Sequence, residues 1–101
     1  MTDYRKYPEI AKFLVNYQPA DEHFTSNDEI NMIGNFFNLI NINREDRQEI
    51  RNNVVKFYDH LMDNEIMYDK NGKYNGRTDQ YWKYSNAMMS VTAAIDYFIY
   101  M

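Results

Sequence analysis

The sequence predicts a mainly α fold: a compact bundle of about four helices, with a small β-hairpin at about residues 66–76 ahead of a long C-terminal helix. Three observations predict it. Apolar residues recur at steps of three and four in four separate stretches, as one face of a helix requires. Polar residues suited to capping stand before the later three stretches. Asn71-Gly72 lies between two short apolar-aromatic runs, a hairpin signal.

Pro8 suits the first turn of a helix, and Ile10, Phe13, Leu14 and Tyr17 keep helical spacing until Pro19 stops the run. Ser26-Asn27-Asp28-Glu29 has the spacing of a capping box. It opens a second helix that carries Ile30, Ile33, Phe37 and Ile40 on one face, Phe36 beside them, to about Asn41. Asn43, with Asp46 three residues on, caps a third helix at about 44–62, whose stripe is Ile50, Val54, Phe57 and Leu61. For the hairpin the dipeptide predicts a type I′ turn; the rival is an irregular loop, because a lone two-stranded ribbon is marginal unless it packs on helices.

The final helix starts with Asp79 as cap, Thr78 being the rival, and places Tyr81, Tyr84, Met88, Val91, Ile95 and Phe98 on one stripe, widened by Trp82, Met89 and Ile99. It finishes on Phe98-Ile99-Tyr100-Met101 with no polar tail. Large exposed apolar patches are rare on free monomers, so this end is expected to be packed on the chain's own core or pressed against a second copy or a partner, the interface being the leading reading. Tyr81, Trp82, Tyr84, Met88, Phe98, Ile99, Tyr100 and Met101 form the expected interface. Phe37, Phe57 and Ile95 are expected in the core.

At 101 residues the chain reads as a single domain spanning 1–101, able to bury about 65% of its unfolded surface. It has no cysteine, which excludes disulfides, thiolate nucleophiles and cysteine-based metal sites. The N-terminus lacks the apolar core of a signal peptide, and no stretch approaches the roughly 20 apolar residues of a membrane span. A soluble, cytoplasmic protein without membrane contact is the expectation.

The net charge of -4 disfavours general attraction to phosphate backbones and suits a basic partner surface. Asp21, Glu22, Asp28 and Glu29 meet no Lys or Arg nearby and form the candidate acidic surface. Abundant Asn, Ile, Lys, Tyr, Phe and Met with few Gly, Pro and Ala suggest an AT-rich coding sequence, common in phages and mobile elements and in many bacteria.

Catalytic groups are scarce. His23 and His60 alone would titrate near neutrality, and there is no glycine-rich phosphate loop. His60 with Asp59 and Asp63 falls short of a metal ligand set. Asp69, Asn71 and Asp79 superficially resemble a calcium loop, but Lys73 and Tyr74 stand where that loop needs a ligand and a glycine. No cofactor, metal or enzymatic activity is expected.

Two functions follow. The leading one is a small acidic inhibitor or regulator of phage or mobile-element type, forming a homodimer through its C-terminal aromatic helix. Its acidic surface would occupy a protein partner such as a basic, nucleic-acid-handling host defence factor. The alternative is a winged-helix DNA-binding regulator. There Arg44, Arg47, Gln48, Arg51 and Asn52 of the third helix would read bases, and Lys70, Lys73 and Arg77 of the hairpin would touch phosphates. Glu45, Asp46 and Glu49 interleave with those arginines, so a solvated, salt-laced face competes with the DNA reading.

Overall fold

The computed structural model describes residues 3–20 and 25–101. Helices α1 (Pro8–Asn16), α2 (Asn27–Phe36), α3 (Arg44–Asp63) and α4 (Asp79–Ile99) form the bundle, with β1 (Ile66–Tyr68) and β2 (Tyr74–Arg77) pairing antiparallel between α3 and α4. A 3-10 turn, Tyr4–Lys6, precedes α1, and another, Leu39–Asn41, joins α2 to α3. No helix among the described residues is long and apolar enough to cross a membrane.

The long pair α3 and α4 is the frame of the bundle, and α2 lies across α4. Val54, Phe57 and Tyr58 of α3 meet Ala87, Val91, Ala94, Ile95, Phe98 and Ile99 of α4, closed over by Leu14, Ile33 and Leu39. The Tyr58 hydroxyl crosses this core to donate to the Leu14 carbonyl at 2.9 Å. Burial pushes the Tyr58 pKa well above that of an ordinary phenol.

Caps explain where the helices begin. Ser26 Oγ accepts from Glu29 N at 3.2 Å, Asn43 Oδ1 from Asp46 N at 2.7 Å, and Thr78 Oγ1 from Tyr81 N at 3.3 Å. Thr78 is therefore the cap of α4, and Asp79 sits in its first turn, where the helix dipole favours negative charge.

α2 stops five residues short of the sequence expectation. Asn38 adopts a left-handed conformation, φ 55°, which ends the helical run and starts the 3-10 turn. The break rotates the chain, so Leu39 becomes fully buried while Ile40, expected on the apolar face, points to solvent. Phe37 is also shifted, to a half-buried rim position against Tyr4 and Phe36. Phe36 itself lies partly exposed, stacked on Phe13 with ring centroids 4.2 Å apart.

The molecule measures 50 × 30 × 22 Å, with a radius of gyration of 14.7 Å. A compact chain of this length has a radius near 13 Å. Part of the difference is the hairpin, which pairs with itself and packs little on the helices.

Candidate functional site

The hairpin arm is built by one aspartate. Asp69 Oδ1 accepts from Asn71 N at 2.8 Å and Lys73 N at 3.0 Å, while the Asp69 carbonyl accepts from Gly72 N at 3.0 Å. The reversal is thus a turn over Asp69–Gly72 with Gly72 left-handed, φ 79°. A type I′ turn at Asn71-Gly72 needs positive φ at both residues, and Asn71 lacks it, so the expected turn type is corrected although the hairpin forms. At the base, Thr78 N donates to the Glu65 carbonyl at 3.0 Å and Thr78 Oγ1 to Glu65 Oε2 at 2.7 Å, tying both strands to the start of α4.

This scaffold carries an exposed aromatic surface. Tyr68 and Tyr74 are register partners across the strands, and both are exposed, as are Met67 beside them and Trp82 on the first turn of α4. The Arg77 guanidinium lies over three rings, 4.6 Å from the Tyr81 centroid, 5.4 Å from Trp82 and 5.9 Å from Tyr74. Tyr81 meets Trp82 edge-on at 5.0 Å. Lys70 and Lys73 are exposed near the tip. Glu65 and Asp69 are engaged by hydroxyl and amide donors, so the arm presents rings and cations more than acids.

The other end of α4 is used differently. Phe98 and Ile99, expected at an interface, are 7% and 4% exposed and belong to the protomer core. Phe98 settles on Gly34 of α2, where any side chain would run into the ring tip. Arg47 Nη1 donates to the Phe98 carbonyl and Arg47 Nε to the Leu39 carbonyl, both at 2.6 Å. A cation is thus placed at the negative end of α4, where last-turn carbonyls lack helical partners. Arg51 Nε bridges Asp96 Oδ1 at 2.6 Å, and Arg44 stacks over Tyr100 at 5.6 Å. The rest of the expected interface divides: Tyr81, Tyr84 and Met88 are half-buried, and Trp82, Tyr100 and Met101 are exposed.

These contacts break up the proposed base-reading face of α3. Arg47 and Arg51 turn inward to α4 and only Arg44, Gln48 and Asn52 remain exposed, with Gln48 Nε2 donating to Asn52 Oδ1 at 3.4 Å. Lys70 and Lys73 stay accessible on the hairpin.

The acidic set is divided too. Asp21 and Glu22 lie outside the described residues, and Asp28 is exposed in the first turn of α2. Glu29 faces inward: Oε2 accepts from the Tyr17 hydroxyl at 2.6 Å and from Ser90 Oγ at 3.2 Å, and Oε1 from Ala20 N at 3.3 Å. It joins the end of α1 to α2 and α4, a use that the capping-box pattern did not disclose.

His23 is outside the described residues. His60 Nε2 lies 3.4 Å from Arg5 Nη1 in a half-open cavity of about 180 Å³, and Arg5 also bridges Asp3 at 2.9 Å. That pairing holds the Asp3 carboxyl below the usual range. No group of three or more acidic or histidine side chains suited to a metal ion occurs among the described residues. Compared with protein families, curated proteins and solved structures, the chain matches none.

Proposed function

We propose that the chain is a non-enzymatic protein-binding module, a small inhibitor or regulator that grips a protein partner with the aromatic hairpin arm. What supports this most is the joint exposure of Tyr68, Tyr74 and Met67 on a braced projection. Tyr, Trp, Met and Arg are the residue types that concentrate binding energy at protein interfaces, because they bury large area at modest entropic cost. Arg77 among the rings adds a cation that suits an acidic or carbonyl-rich rim on the partner.

The acidic surface has a smaller part in this reading than the sequence suggested, since Glu29 is occupied internally. An occupancy inhibitor of phage or mobile-element type, acting on a host factor, remains the finer form that composition and net charge of -4 support. DNA reading is the weaker alternative, because Arg47 and Arg51 bind α4 rather than solvent. The proposal also includes self-association of two subunits through α4.

The arm is tested by replacing Tyr68 and Tyr74 together with alanine and repeating capture of the partner that the parent chain retains. Loss of capture with an unchanged circular dichroism spectrum is expected. Retention at parental strength would show that the arm is not the gripping surface.

A further inference from the structure

Helix α4 carries two apolar stripes. The inward one, Val91, Ile95 and Phe98 with their neighbours, is in the core. The outward one runs Trp82, Asn86, Met89, Ala93, Asp96 and, at the cap just past the last helical residue, Tyr100, with Tyr97 beside Asp96, in alternating steps of four and three, the spacing of a coiled-coil seam. Trp82 is 51% exposed, Met89 50%, Tyr97 55% and Tyr100 73%; Arg77 lies over the Trp82 ring and Arg44 over Tyr100, and the remaining surface of these side chains is open. The one charged residue in the stripe, Asp96, already has Oδ1 bridged by Arg51.

We infer that this stripe pairs with the same stripe of a second copy, antiparallel, about a two-fold axis level with Val91; this rests on the self-association proposed above and specifies its face and register. Read in opposite directions from Val91, the stripe is complementary to itself. Trp82 meets the partner's Tyr100, Met89 meets the partner's Ala93, and Asn86 meets the partner's Asp96. Aromatic thus lies on aromatic, large on small, and an amide donor on the carboxylate oxygen that Arg51 leaves open. Two-fold symmetry makes each contact twice.

Other pairings do worse. A parallel pair would set Asp96 against the partner's Asp96 in an otherwise uncharged seam, and Met89 against the partner's Met89 with no small residue opposite. Sliding the antiparallel pair by one heptad step leaves either Trp82 or Tyr100 uncovered. At about 200 Å² for each large side chain, the exposed fractions of Trp82, Met89, Tyr97 and Tyr100 leave about 460 Å² per protomer, so a pair buries about 900 Å², the size of a weak, reversible association. A foreign partner would require none of this self-complementarity, which is why a second copy is the assigned occupant. The arrangement sends the two hairpin arms to opposite ends of the dimer.

The chain has no cysteine, so its register can be read by single-cysteine cross-linking. Trp82→Cys and Tyr100→Cys proteins, mixed and oxidised, should give disulfide-linked dimer, while neither protein alone should. Light scattering on the parent chain should rise with concentration toward twice the 12.3 kDa chain mass, and stay at the single mass in Ala93→Arg with the helical dichroism spectrum retained. A parent chain of single mass at all concentrations would overturn self-association itself, as would a foreign protein seated on this face of a monomer. A dimer in which Trp82→Cys links to itself, or which ignores Ala93→Arg, would leave self-association standing and overturn this seam.

Discussion

The two ends of α4 are made of the same materials and are used oppositely. At its start, the Arg77 guanidinium sits among Tyr74, Tyr81 and Trp82, makes no hydrogen bond among the described residues, and lies on an exposed arm. At its end, Arg47 and Arg51 bond the Phe98 carbonyl and Asp96, and Phe98 lies on Gly34 in the core. Arginine beside aromatic residues therefore has no fixed meaning. Where a backbone carbonyl and a glycine are in reach, the group locks the fold; where they are not, it stays available to a partner.

The sharpest way to break this contrast is at the locked end. Phe98→Ala should cost about 3–5 kcal/mol in a urea titration, the range for emptying a buried phenylalanine site. A cost below about 1 kcal/mol would mean the ring is not packed as described. Gly34→Ala should cost roughly 1–3 kcal/mol, because the new methyl meets a ring that has little room to retreat. Arg47→Ala leaves two carbonyls without their donor and should cost about 1–2 kcal/mol, measured by the same titration, with Arg47→Lys recovering only part.

A pH titration sharpens the contrast further. Burial raises the hydroxyls of Tyr4 and Tyr17 to about 12 from the ordinary 10, and for Tyr17 the neighbouring Glu29 adds to the rise. A raised folded-state value favours folding below the unfolded value, so this contribution is intact below about pH 10 and is lost as pH rises through about 12. Urea midpoints should fall across that window, and Tyr17→Phe should make the fall shallower. The smallest effect belongs to the open end: replacing Tyr68 and Tyr74 with alanine should change stability by no more than about 0.5 kcal/mol, as for ordinary surface positions. A large loss there would mean that the arm is part of the fold.

Much of the architecture was legible because short-range signals carried it. Ser26, Asn43 and Thr78 cap helices at sites the sequence marks, Thr78 as the rival to Asp79, and the stripes of α3 and α4 point inward as their periods require. The errors arose where a choice depended on distant partners or on a single backbone angle. Asn38 in the left-handed region reversed the fates of Leu39 and Ile40, and no periodicity announces one such residue. The seat of Phe98 on Gly34 joins residues 64 positions apart, a contact that no local pattern contains. The inward turn of Arg47 and Arg51 depends on where α4 ends in space, which spacing along α3 does not contain. The exposed set was blurred for a related reason: α4 has apolar residues on both faces, so its sequence showed that it is greasy without showing which side is covered.

Hydrogen exchange on the isolated full chain tests the division of labour most directly. Amides of residues 90–99 should exchange as slowly as those of 53–62, near the global unfolding limit, while amides of 66–77 exchange orders of magnitude faster until a partner is added. Slow exchange along the arm of the isolated chain, or residues 95–99 exchanging as fast as the arm, would contradict it.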